Sequence, residues 1–204
     1  LERRFIMKPK QKIVVITGVS GSGKTTISKI FPLERRLVSY TTRQPRPGEK
    51  DGVDYYFVTK KQSEEIENSE NSFEKTTFAG NHYGLTVDEV LDKSENWNFP
   101  TVFVAEAGFY DDVSEKDGEF FYKDEYPIRP ILVIAENHKI ISAIKERGGE
   151  DANQRIFDLA KEEKTIIDLK KRFPKIEQFD VLFDLGEIAN QERFKDFLGY
   201  KKPK

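Results

Sequence analysis

Short apolar runs punctuate an otherwise polar chain: KIVVIT (12–17), PTVFVA (100–105), PILVIA (130–135) and VLF (181–183). None alternates apolar with polar positions, so each predicts a strand buried on both faces, as in a parallel sheet covered by helices. Helical spacing fills the segments between them. TVDEVLDKSEN (86–96) opens on Thr86 with Glu89 three residues later, the pairing of a capping box. ENHKIISAIKER (136–147) puts Ile140, Ile141 and Ile144 on one face, and residues 151–173 bring Ile156, Leu159, Ile166 and Leu169 close to a helical period. Strands and helices that alternate in this way predict an α/β fold with right-handed crossovers.

Two regions break the alternation. Residues 36–90 hold turns, short strands and one polar helix, KKQSEEIENS (60–69), and read as an inserted subdomain. Residues 109–129, FYDDVSEKDGEFFYKDEYPIR, read as a long charged surface loop with a few anchoring aromatics. No internal repeat or low-complexity tract is present.

Composition narrows the chemistry. With 34 basic against 36 acidic residues the net charge is -2, which lacks the basic excess of a general nucleic-acid binder. Cysteine is absent, so disulfides, thiol nucleophiles and thiolate metal sites are excluded, as expected of a cytoplasmic protein. His82 and His138 are the only histidines, too few for a multi-histidine metal site. No apolar stretch approaches the roughly 18 residues of a membrane span, and no membrane partner is expected. Met7 is a candidate start, and residues 1–6 are set aside.

The most specific motif is GVSGSGKTT (18–26), which matches G-x-x-x-x-G-K-[ST] through Gly18, Gly23, Lys24 and Thr25. It follows a predicted strand and leads into TTISKIF, which can start a helix. Glycines let the backbone curl until successive N–H groups face phosphate oxygens. Lys24 reaches the β- and γ-phosphates of a nucleoside triphosphate, and the Thr25 hydroxyl can hold Mg²⁺. Ser20, Gly21, Ser22 and Thr26 complete this donor site. Pro32 is expected to cut the following helix short.

A second stretch, SYTTRQPRPGEKDGVDYYF (39–57), cannot be a helix, because Pro45, Pro47, Gly48 and Gly52 interrupt it. It could be a solvated loop, a nucleic-acid arm or a preorganised clamp for a small anion. Arg43 and Arg46 flank the stiffening Pro45, and planar guanidiniums suit a phosphate monoester dianion. Ser39, Thr41, Thr42, Tyr55 and Tyr56 offer hydroxyls to the same ligand. The clamp is the reading these residues favour.

Together, GVSGSGKTT, VSYTTRQPRPGEKDGVDYYFV, FEKTTFAGNHYG and KERGGE resemble the guanylate kinase family, in the right order from about residue 12 to residue 188. The resemblance implies an α/β P-loop kinase core with a parallel sheet flanked by helices. The core would span 8–35 and 98–204 with a small lid about 145–158, and 36–97 would form the nucleoside-monophosphate-binding subdomain. It implies ATP as phosphoryl donor, Mg²⁺ as cofactor and small-molecule nucleotides as partners. Ser39, Arg43, Arg46, Tyr55 and Tyr83 fall where the family binds the acceptor's phosphate, and Glu74 where it reads guanine. A carboxylate suits that role, since guanine N1–H and N2–H₂ are adjacent donors. Arg147 matches an arginine that enters from the lid, and Arg155 a second one, both placed to neutralise the transferring phosphoryl group. Glu49 also matches a family position, either catalytic or bracing the turn.

The sequence departs from the family at three places. Leu85 stands where a Ser or Thr hydroxyl helps read the base, with Thr86 next to it as a substitute if the backbone shifts. Phe103 and Ala105 occupy the positions of an Asp-x-Asp pattern near the metal. That leaves Glu106, one residue off, as a metal ligand or an ordinary strand-end carboxylate, and Asp111 and Asp112 as alternatives. The family's Asn–Asp pair after its last core strand is not recognisable in FDVLFDLGEI. The resemblance therefore implies phosphoryl transfer from ATP to GMP or dGMP. A kinase for another nucleoside monophosphate and a non-catalytic phosphoprotein-binding module stand as alternatives.

Overall fold

The first apolar run forms β1 (Ile13–Thr17), and its side chains divide between two cores. Ile13 and Val15 join one hydrophobic cluster, whereas Val14 and Ile16 join another on the opposite face. Burial on both faces explains the missing alternation. In this computed structural model, which describes residues 12–78, 80–94, 101–148 and 152–180, β1 lies between β6 (Val102–Val104) and β9 (Tyr126–Ile134), parallel to both.

The long β9 serves two partners along its other edge. Its C-terminal half receives β10 (Glu177–Asp180) in parallel, and its N-terminal half pairs antiparallel with β8 (Glu119–Tyr122), which folds back on β7 (Val113–Lys116). The run at 181–183 lies outside the described residues.

Residues 109–129 are therefore no surface loop. A 3₁₀ turn (Ala107–Asp112) and the β7–β8 hairpin carry this stretch into the main sheet. Asp117 and Gly118 both take positive φ (54° and 83°), the left-handed pair of a two-residue hairpin turn. Phe109, Tyr110, Phe120, Tyr122 and Tyr126 are buried. Phe109 stacks on Tyr122 with ring centroids 4.3 Å apart and an interplanar angle of 11°. The aromatics that looked like occasional anchors are thus a large part of the core.

The second sheet has the order β3-β2-β5-β4, built from β2 (Tyr40–Thr41), β3 (Tyr56–Phe57), β4 (Ser72–Phe78) and β5 (Asn81–Thr86). Gly84 is the cross-strand partner of Tyr40, and a Cβ there would lie 2.3 Å from the Tyr40 hydroxyl and 2.5 Å from the Glu74 carbonyl oxygen. Only glycine lets the Tyr40 ring lie against the strand. α2 (Lys60–Glu67) carries a full Thr59–Gln62 capping box. α3 (Val87–Ser94) has only half of the one expected: Thr86 Oγ1 accepts from the Glu89 N–H at 3.2 Å. The Glu89 carboxylate turns instead to the Val38 N–H at 2.8 Å and to Lys93 Nζ at 2.5 Å.

α1 (Lys24–Ser28) is short, and Pro32 opens a 3₁₀ turn (Leu33–Arg35) that returns the chain to β6, where the Leu37 N–H donates to the Val102 carbonyl at 2.8 Å. α4 (Asn137–Arg147) and α5 (Ala152–Arg172) close the other side, with Ile140, Ile144 and Leu159 clustered on Val19. Among the described residues no helix is long and apolar enough to cross a membrane.

If the hairpin belongs to the core, Phe109→Ala should cost about 3–5 kcal/mol of unfolding free energy. Urea denaturation checks this; a loss below about 0.5 kcal/mol, normal for a surface substitution, would return the segment to the surface.

Candidate active site

The loop after β1 curls through Gly21 and Gly23, whose φ values of 80° and 94° suit a residue without Cβ. Gly21 also has no room for a side chain, because a Cβ would sit 2.9 Å from the Ile140 carbonyl oxygen of α4. Gly18 lies beneath the loop, where a Cβ would meet the Val133 carbonyl oxygen at 2.4 Å. Lys24 is buried, and its Nζ donates to the carbonyls of Gly18 at 2.6 Å and Val19 at 3.2 Å. The Ser22 hydroxyl is buried without a hydrogen-bond partner among the described residues.

A carboxylate that the sequence did not signal braces this loop. Glu162 of α5 accepts from the Ser20 N–H through Oε2 at 2.6 Å. Burial pushes its carboxyl up, while the Ser20 N–H and Lys24 pull it back down. Glu162 stands seven residues after Arg155, two helical turns on the same face, and that spacing was the available clue.

A cleft of about 370 Å³ separates the loop from the second sheet. Ser20 and residues 21–26 line one side; Ser39, Arg43, Arg46, Tyr55 and Tyr83 line the other, and Glu106 and Arg155 also face it. Arg43 is held in position: Nη2 meets both Glu49 oxygens at 3.0 Å, Nη1 donates to the Gln44 carbonyl at 2.6 Å, and the guanidinium lies 5.4 Å from the Tyr55 ring centroid. Glu49 also accepts from the Arg46 N–H at 2.8 Å, so it braces the turn between the two arginines. Burial, then the nearby Glu106, push the Tyr55 hydroxyl up to about 12, which keeps it a neutral donor. Lys29 at the end of α1 pairs with Asp54 at 2.6 Å and ties the phosphate loop's helix to the clamp.

A recess of about 20 Å³, room for one water, opens off the cleft. The second sheet supplies Glu74, Thr76 and Tyr83 to one wall, and Phe103 and Glu106 form the other. Burial, then Glu106 and Asp112, push the Glu74 carboxyl up to about 8, against the opposing pull of Lys123.

Other expected residues fall elsewhere. The Thr86 oxygen accepts from the Glu89 N–H at the start of α3, and Thr86 lines neither the cleft nor the recess. Leu85 itself is fully buried in the core. Phe103 and Ala105 are buried apolar side chains. β6 ends at Val104, so Glu106 escapes strand alternation and caps the 3₁₀ turn with its side chain on the cleft. Asp111 is exposed beside Arg172, and neither Asp111 nor Asp112 faces the cleft. The Arg155 guanidinium lies 6.0 Å from the Phe78 ring centroid. Arg147 closes α4, and its side chain lies outside the described residues.

The loop fits a nucleotide's phosphates: Gly21 and Gly23 give the backbone its curl, Lys24 supplies charge and Ser22 holds a hydroxyl without a partner among the described residues. Among the described residues no group of three or more His, Asp or Glu could hold a metal. A hydroxyl such as that of Thr25, with Glu106 on the same cleft, suits Mg²⁺, which takes few protein ligands and keeps phosphates and water for the rest.

Known proteins carry the same pattern. The guanylate kinase family profile matches residues 10–188. The guanylate kinase of Prochlorococcus marinus is 39% identical over 94 residues, covering 44% of this chain and 50% of that protein. The Schizosaccharomyces pombe guanylate kinase is 43% identical over 83 residues, covering 38% and 41%. The chain thus spans about half the length, or less, of these curated relatives. The crystal structure of guanylate kinase from Anaplasma phagocytophilum superposes with a TM-score of 0.58 at 16% identity, over 94% of this chain and 86% of that one, and shares its fold.

Inorganic tripolyphosphate should raise the melting temperature of the wild-type chain. Lys24→Ala should abolish that shift. Glu162→Ala should weaken tripolyphosphate affinity about 3- to 10-fold through loss of the loop brace, whereas Glu162→Gln, which keeps an acceptor, should not. An unchanged shift in Lys24→Ala refutes the phosphate-site assignment.

Proposed function

The chain belongs to the guanylate kinase family, and on that premise we propose that it transfers the γ-phosphoryl group of ATP to GMP or dGMP. The observation that carries this reading is the meeting in one cleft of Lys24 from the phosphate loop with Arg43, Arg46 and Tyr55 from the segment between β2 and β3. The buried Glu74 stands in the recess beside them.

In this reading the loop amides and Lys24 hold the donor's phosphates, and Arg43, Arg46, Ser39, Tyr55 and Tyr83 hold the acceptor's phosphate opposite. An acceptor phosphate oxygen attacks the γ-phosphorus in line; the new O–P bond forms as the bond to the β-phosphate oxygen breaks, and ADP leaves. No covalent intermediate with the protein is needed, because positioning and counter-charge supply the catalysis. Mg²⁺, held through Thr25 with Glu106 nearby, would neutralise charge between the outer phosphates. Arg155, and Arg147 from the lid about 145–158, would stabilise the charge that develops on the transferring group. Glu74 would accept guanine N1–H and N2–H. Residues 36–97 act as the acceptor subdomain, and we place the enzyme in the cytoplasm with free nucleotides as its partners.

A coupled assay with ATP, Mg²⁺ and a panel of nucleoside monophosphates tests the reading. GMP and dGMP should turn over well above the rest. Equal turnover of AMP sinks the base assignment, and no turnover with any acceptor sinks the enzyme.

The recess adds a pH signature. With its carboxyl near 8, Glu74 is mostly protonated at neutral pH and must ionise to accept guanine's donors. Base binding then releases a proton, so affinity rises with pH, by up to about tenfold per unit below 8, and levels off above it. KM for GMP should fall accordingly between pH 6.5 and 8.5. Glu74→Gln should remove that slope, leaving only the weak titration of the acceptor phosphate near pH 6. A wild-type KM that is flat over this window removes Glu74 from the base site.

A further inference from the structure

Guanine presents an acceptor, O6, beside N1–H and N2–H₂, so a site that reads this edge needs a donor next to its carboxylate. The positions after Tyr83 do not supply one: Leu85 is apolar and buried in the core, and Thr86 lines neither the cleft nor the recess. Ser39, Tyr55 and Tyr83 line both the cleft and the recess, which places them at the junction where the acceptor's phosphate is held. Glu74, Thr76 and Phe103 line the recess alone.

Thr76 follows Glu74 by two residues on β4, so both side chains leave the same face of the strand. Thr76 lines the recess, and its hydroxyl oxygen lies near the 3₁₀ turn, where a Cβ added to Gly108 would be 3.4 Å from Oγ1. That hydroxyl makes no hydrogen bond among the described residues. It is thus an uncommitted donor two residues along the strand from the buried carboxylate, lining the recess and not the cleft that holds the clamp.

We propose that Thr76 is a specificity-determining residue, donating from Oγ1 to the purine O6 while Glu74 accepts from N1–H and N2–H. The proposal rests on the guanylate kinase reading. It moves one base-reading hydroxyl from the strand after Tyr83 to the strand that carries Glu74.

The test compares GMP with 6-thio-GMP, whose sulfur is a poor acceptor at this one atom, in the wild type, Thr76→Val and Thr76→Ser. Thr76→Val keeps the side-chain shape and removes the hydroxyl. It should lower kcat/KM for GMP by about 10- to 100-fold, mainly through KM, and leave 6-thio-GMP nearly unaffected. The preference for GMP over 6-thio-GMP should fall toward unity in Thr76→Val and return in Thr76→Ser. An unchanged preference in Thr76→Val overturns the proposal while leaving the kinase reading intact. A wild type that never phosphorylates GMP overturns that reading, and the proposal with it.

Discussion

The structure depends on how the two sheets are joined at Phe73. Its ring packs against Tyr122 at 5.1 Å and Tyr126 at 4.9 Å, both from the main sheet. Its carbonyl accepts the Tyr122 hydroxyl at 3.1 Å and Lys123 Nζ at 2.7 Å. The next residue is Glu74, so the junction that fixes the spacing between sheets also positions the wall of the recess that Glu74 lines. The hairpin at 113–122 thus belongs to the machinery, although it contributes nothing to the cleft directly.

Charge is the second constraint. The proposed reaction brings together two phosphate groups that repel one another, and the protein holds the opposing cations in fixed places. Arg43 is gripped by Glu49, Lys24 by its own loop's carbonyls, and Lys29 by Asp54. Each anion that holds a cation also joins segments distant in sequence or turns a loop sharply. Preorganised charge of this kind costs little reorganisation when a ligand arrives.

Much of this was legible in the residues. The phosphate loop and the clamp are written in local chemistry: glycines where the backbone must curl, prolines where it must stay stiff, guanidiniums where a dianion belongs. Other features were settled by tertiary structure. Asp117–Gly118 is a strong hairpin signal, but the charged residues around it hid the alternation of the buried Phe120 and Tyr122. Thr86 could serve a helix or a base, and only the fold assigns it to the helix. The side of the strand that Glu106 would take depended on where β6 ends. Glu162 acts through the meeting of one face of α5 with the loop, which no local pattern specifies.

The small volume of the recess bears on how an acceptor arrives. Its walls come from different sheets, and about 20 Å³ between them cannot hold a purine. On the proposed reading, a base reaching Glu74 would have to part these walls, which the Phe73 contacts with Tyr122 and Tyr126 hold together. Part of the contact energy gained by the base would then go into that opening, and the acceptor would bind more weakly than its contacts alone suggest.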